Sequence, residues 1–154
     1  MTTASLDDRR LIFTLLRASG CVRRRHAAVC EAHGLTFQQF NVLRILRGAE
    51  ANGEPFLPTM EVAARMVEPE PGITRIIGQL EKKGFISRSK GTDDARQLFC
   101  QITNAGRETI AALDSPIKAL VQELLANIAD QEADQIYVAL NQISANAASP
   151  DQSC

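Results

Sequence analysis

The chain has 154 residues, with 17 basic against 18 acidic side chains, a net charge of −1, and 45% hydrophobic and 23% charged residues. Such values describe a folded chain rather than a disordered one, and the length fits a single domain with no room for a second catalytic one. No apolar stretch approaches the ~20 residues needed to cross a bilayer, so no membrane association is expected. The first ten residues lack a basic region followed by an apolar block, so export is not expected either. Four cysteines, at 21, 30, 100 and 154, show no CxxC spacing. Reduced thiols and a cytoplasmic location follow as the expectation.

Charge is unevenly placed. Residues 1–71 carry a net +1, residues 72–107 a net +4 and residues 108–154 a net −6. A basic middle with an acidic tail can present one face to a polyanion and hold the other away. Solvated lysines and arginines account for the same run, so charge alone decides nothing.

In chain order, residues 6–33 predict a long helix, with Asp7 and Asp8 suiting the positive end of its dipole and Gly34 stopping it. Ile12, Leu15, Leu16, Ser19, Val22, His26, Val29 and Cys30 give it one packing stripe, despite the cost of Gly20. A second helix follows Leu35, capped by Thr36, with Phe37, Phe40, Val42, Leu43 and Leu46 on its apolar face. Residues 48–55 are a loop, and Phe56–Leu57 a very short extended piece. Thr59 is expected to cap a short helix to about Met66 that turns Val62, Ala63 and Met66 inward.

Residues 67–71, with Pro69 and Pro71, form a turn. From Gly72, Ile73, Ile76, Ile77 and Leu80 fall at i, i+3, i+4 and i+7, and Gly84 closes this helix. Thr74, Arg75, Gly78, Gln79 and Lys82 occupy its opposite face. Residues 85–90 and 97–102 are strand candidates joined by a polar tip over 91–96. Thr103 caps the next helix, striped by Ile110, Leu113, Ile117, Leu120, Leu124 and Ile128, which Pro116 should kink or restart with Ser115 as cap. A last helix over about 131–147 is expected to turn Ile136, Leu140 and Ile143 inside, and the tail after Pro150 to be loose.

Short helix, tight turn, amphipathic helix and hairpin make a winged helix-turn-helix. At four places the chain resembles the MarR family of bacterial transcriptional regulators: Leu35-Thr36 through Leu46; Glu61-Val62-Ala63; Ile73 through Arg88; and Asp94-x-Arg96-x5-Ile102-Thr103-x2-Gly106, which fits the family's wing pattern at every fixed position. The fold expected is mostly α, of the α+β winged helix-turn-helix kind, with about six helices and a two- or three-stranded wing in an intertwined homodimer. Residues 35–106 would form the DNA-binding lobe of a single domain over 1–154, and residues 1–34 and 107–154 its helical dimerisation region.

The resemblance implies a double-stranded-DNA-binding regulator, by default a repressor. It would act as a twofold dimer on a pseudo-palindromic operator with half-sites ~34–36 Å apart. Arg75 can bond bidentately to guanine and Gln79 to adenine, each worth ~1–3 kcal/mol of discrimination. Lys82, Lys83, Arg88 and Lys90 suit phosphates, Gly78 permits close approach, and Thr59 and Gly72, at the starts of the motif's two helices, are further DNA-binding candidates. Arg96 resembles the family's minor-groove arginine, held by Asp94. The alternative for that pair is a hairpin-tip salt bridge worth ~0–1 kcal/mol. Glu68 and Glu70 depart from the family's pattern and would be repelled by phosphates if they face the duplex.

The same resemblance implies a small aromatic or anionic effector, or thiol oxidation, as the releasing signal. Arg17 and Cys21 are the candidate residues, with Arg23, Arg24 and Arg25 able to favour the thiolate; a packed, inert Cys21 is the commoner arrangement. Whether Cys30 is redox-active stays open as well. His26, Cys30 and His33, at i, i+4 and i+7, could face a metal, but the same three continue the packing stripe, so no metal site is assigned and no cofactor expected. Both histidines lie on one helix, and no GxSxG, HExxH or P-loop motif is present, which argues against an enzyme. The rival function is a winged-helix protein-interaction module without DNA binding.

Overall fold

The computed structural model describes residues 6–67, 71–91 and 97–148. The chain divides into two compact units, Met1–Lys118 and Ala119–Cys154. The elements are α1 (Leu6–Glu31), α2 (Phe37–Ala51), β1 (Leu57–Pro58), α3 (Thr59–Ala64), α4 (Ile73–Lys82), β2 (Ile86–Lys90), β3 (Leu98–Ile102), α5 (Asn104–Leu124) and α6 (Asp130–Ala148).

In the first unit, the core gathers Cys30 and Leu35, Val42, Leu43 and Leu46 of α2, Val62 of α3, and Ile76, Ile77 and Leu80 of α4. Ile86, Cys100 and Ile102 of the sheet and Ile110 and Leu113 of α5 complete it. The sheet is antiparallel, ordered β1-β3-β2, with Leu57 opposite Cys100, Ile86 opposite Ile102 and Arg88 opposite Cys100. The short extended piece before Pro58 is therefore a third strand of the wing.

α2 opens with a capping box: Thr36 Oγ1 accepts from Gln39 N and Gln39 Oε1 accepts from Thr36 N, each at 3.2 Å. α4 ends in a Schellman turn, Gly84 N bonding Glu81 O at 2.8 Å and Phe85 N bonding Leu80 O at 3.0 Å, with Gly84 at φ 75. That turn delivers Phe85 to the start of the wing. Thr103 caps α5 as expected, accepting from Gly106 N at 3.1 Å, and its hydroxyl also donates to Gly84 O at 2.7 Å. Gly106 admits no side chain, because a Cβ there would stand 2.1 Å from the Phe85 carbonyl oxygen. Two ion pairs brace α2 against α5: Arg47 grips both carboxylate oxygens of Asp114 at 2.8 and 2.9 Å, and Arg107 meets Glu50 at 2.7 Å.

Several expectations are corrected. α3 ends at Ala64, before Met66, and Thr59 is not its cap: Pro58 holds that position without a side-chain bond, because the extended Pro58 is still paired with Phe99. Pro116 does not restart a helix with Ser115 as cap; α5 runs through it, with Ile110, Leu113 and Ile117 all on the core. The cost is the bond its missing N–H would have made to Ala112 O. α5 ends at Leu124, leaving Ile128 in the following turn.

Along α1 the expected stripe is buried only toward its C-terminal end. His26 is half-buried with its ring edge-on to Phe37 at 6.1 Å, and Cys30 is fully buried, while Ile12, Leu16 and Val22 are exposed in the single chain. In the second unit, α6 buries none of its residues: Ile136 and Leu140 are exposed rather than inside, and Ile143 is half-buried. The wing tip over 92–96, residues 68–70 and the tail after 148 lie outside the described residues.

Candidate nucleic-acid interface

At 100° per residue, the core-facing arc of α4 is centred on Ile76, Ile77 and Leu80, exposed by 4%, 1% and 0%. The opposite arc is then centred on Arg75, Gly78 and Lys82, with Thr74 and Gln79 on its two flanks. Thr74, Arg75, Gln79 and Lys82 are all exposed, as the sequence predicted. The side chains of Arg75 and Lys82 make no hydrogen bond or ion pair with another described residue. Gly78 has nothing within 4 Å of where a Cβ would stand, so a shallow gap separates the two cations. Gly72 is the N-cap of α4 and offers no side chain to cap that end. Lys90, at the far end of β2, is exposed and likewise unengaged with described residues.

Three of the predicted contact residues bond through their side chains to other parts of the chain. Arg88 is bound to Glu81: its Nε donates to Glu81 Oε2 at 2.8 Å and its Nη2 donates to the same oxygen. That hydrogen bonding holds the Glu81 carboxyl below the usual carboxylate range and raises the guanidinium further. Arg88 thus ties the last turn of α4 to β2. Thr59 is half-buried, and its hydroxyl donates to Leu98 O at 3.1 Å, beside Cys100 Sγ at 3.6 Å. Lys83 Nζ donates to Gly34 O at 2.8 Å and to Gln39 Oε1 at 3.2 Å, across to the start of α2. Asp94, Arg96, Glu68 and Glu70 lie outside the described residues.

Gln79 is exposed yet tethered, its Oε1 accepting from Gln39 Nε2 at 3.1 Å. Gln39 is the residue the sequence reading missed. The Thr-x-x-Gln spacing of a capping box was the available signal, for it marks a glutamine turned back on its own helix start.

On α1, Arg17 and Cys21 are both exposed, so the packed Cys21 is not what the single chain shows; Arg24 Nη2 lies 3.1 Å from its sulfur. The contrast is Cys30, whose thiol burial pushes up to about 11, and Cys100, which burial also raises. His26 and His33 each donate from Nδ1 to the carbonyl four residues back, Val22 at 3.1 Å and Val29 at 2.9 Å.

A short helix and a second helix with a cationic outer face, closed by a three-stranded antiparallel wing, make the architecture of a winged helix-turn-helix transcriptional regulator. Comparison with known proteins agrees. The family described as "Transcriptional regulator SarA/Rot" matches residues 26–113, and the chain belongs to that family, among the MarR-type regulators. The homoprotocatechuate degradative operon repressor of Escherichia coli is 25% identical over 126 residues, 82% of each chain. AbsC, a MarR family transcriptional regulator from Streptomyces coelicolor, has a TM-score of 0.82 at 18% identity, covering 96% of this chain and 98% of its own. MepR of S. aureus, solved as a DNA complex, has a TM-score of 0.76 at 19% identity, over 87% and 96%. The members of this family are regulators rather than enzymes. Among the described residues no helix is long and apolar enough to cross a membrane.

Proposed function

We propose that the chain binds duplex DNA as a twofold dimer on a pseudo-palindromic operator and represses transcription there. The observation that carries this reading is the division of α4 into a sealed apolar face and an outer face whose Arg75 and Lys82 side chains are exposed and, among the described residues, without a bonding partner. Set in a major groove, Arg75 reads a guanine edge, while Lys82 and Lys90 meet phosphates and fix register. Asp94 and Arg96 keep the minor-groove role that their wing pattern implies. The dimer reading draws on exposed apolar side chains, Leu11, Phe13 and Leu16 on α1 and Tyr137 and Val138 on α6, which a partner chain would cover. A small aromatic or anionic effector, or oxidation of Cys21, releases the DNA; the exposure of Arg17 and Cys21 supports their assignment to that step.

The test is binding to duplex from the region upstream of the chain's own gene. With ~6–10 phosphate contacts, affinity falls by ~10³–10⁵ between about 50 and 200 mM salt. Arg75→Ala costs about 1–3 kcal/mol and relaxes base choice at one position, whereas Lys82→Ala weakens all sequences evenly and lowers the salt slope by about 1. Salt-insensitive retention, or an Arg75→Ala protein that selects the same bases as wild type, refutes the reading.

A further inference from the structure

The backbone of Gly34 and Thr36 and the side chains of Gln39, Gln79 and Lys83 meet where the start of α2 faces α4, and their hydrogen bonds have a fixed direction. Two donors converge on one end of the Gln39 amide: Thr36 N at 3.2 Å and Lys83 Nζ at 3.2 Å. A backbone N–H and an ammonium can only donate, so the atom facing them is Oε1. The Lys83 ammonium is itself held by Gly34 O at 2.8 Å. Gln39 therefore turns Nε2 toward α4, and the Gln79 atom 3.1 Å away is its acceptor, Oε1. Gln39 is only 4% exposed, so it acts from beneath the surface, while Gln79 is exposed.

We propose that Gln39 is a positioning residue for base recognition: by holding Oε1 of Gln79 against α2, it presents the Nε2–H2 end of that amide to the groove. This rests on the DNA reading above and deepens it. Two-point pairing with adenine needs Oε1 and Nε2 turned together toward one base edge, and an Oε1 held back on α2 turns only the donor end outward. A donor suits the acceptors of guanine (N7, O6) and thymine (O4) and meets a like group at the N4–H2 of cytosine. The bidentate adenine contact expected from the residue type alone is thus replaced by a donor contact, set by a side chain that touches no DNA.

Selection from a pool of duplexes with a randomised core tests this, using wild type, Gln79→Ala, Gln39→Glu and Gln39→Met, each checked by thermal melting. Wild type is expected to prefer guanine or thymine over cytosine by about tenfold at one position per half-site, a preference that Gln79→Ala loses. Gln39→Glu still accepts from Thr36 N and Lys83 Nζ but also offers Gln79 an acceptor. The Gln79 amide then turns over, and the preference at that position moves to adenine or cytosine, whose edges donate. Gln39→Met frees the amide and erases the preference for guanine or thymine over cytosine; should Gln39→Glu fail to fold, this variant decides. A Gln39 that merely supports the fold would weaken binding to all duplexes evenly and leave the base order unchanged, and that result overturns the proposal while leaving the DNA reading intact. If wild type enriches no duplex, the DNA reading falls and the proposal falls with it.

Discussion

Replacing Gly106 with alanine would set a methyl carbon 2.1 Å from Phe85 O and 2.9 Å from Ile102 Cγ1. The obstacle is backbone, not the end of a flexible side chain, so relief requires moving the wing entry away from the first turn of α5. That carbonyl accepts from Thr103 N at 3.1 Å, and the adjacent Thr103 hydroxyl bonds Gly84 O and Gly106 N. Forcing a methyl into a filled site costs about 1–3 kcal/mol. Loosening a hydrogen bond adds about 1 kcal/mol, and the better helix propensity of alanine returns about 1 kcal/mol. The expected net destabilisation is roughly 1–3 kcal/mol, or about 2–12 °C in melting temperature for a chain of this size. Gly78→Ala is the internal control: nothing lies within 4 Å of its added carbon, so the same exchange in another helix should stabilise by up to ~1 kcal/mol. Calorimetry at one fixed protein concentration, without DNA, compares the two. Shifts of the same sign, or a Gly106→Ala protein melting within a degree of wild type, would refute the steric argument.

Other expectations follow from the thiols and the wing brace. Cys30 ionises only at about 11 in the folded chain, so its contribution is complete below the ordinary thiol pKa near 9 and is lost as pH climbs toward 11. Urea midpoints should therefore decline across that window, by up to about 2–3 kcal/mol from two pH units, and Cys30→Ala should flatten part of the decline. Labelling a Cys154→Ser protein with a thiol reagent at neutral pH should mark exposed Cys21 at once and buried Cys30 and Cys100 only on unfolding; early modification of Cys100 would contradict the packing. Because Arg88 depresses the Glu81 carboxyl, their pairing contributes above the ordinary carboxylate pKa and fades as pH falls through the lower folded value. Wild type should lose more stability than Glu81→Gln between pH 5 and pH 3, as followed by urea denaturation, and parallel curves would show the pair to be idle.

What could be read from the sequence is local. The α4 stripe repeats at helical spacing against a single core, its end is written in a glycine that takes φ 75, and the Thr103 cap depends on residues three apart. What could not be read depends on distant partners. Thr59 loses its cap role because Pro58 is claimed by a strand more than forty residues later. Arg88 looks like a free cation until the Schellman turn brings Glu81, seven residues earlier, beside it. Pro116 looks like a helix breaker because its neighbours' hold on the core is not a local property. The α6 pattern shows an apolar face but not whether its own chain covers it, and here it does not. Gln39 was hidden for the same reason, since its second task lies forty residues away on α4.

The Thr103 hydroxyl sits where two helices meet, accepting from the start of α5 and donating to Gly84, one residue past the C-cap of α4. With Gly106 lying flush against Phe85, no spacer remains between them. A tilt in the first turn of α5 is therefore handed to the exit of α4 with little slack, as through a pinned joint rather than a spring. Motion applied to the long helix would reach the arginine-bearing rod without any hinge having to bend.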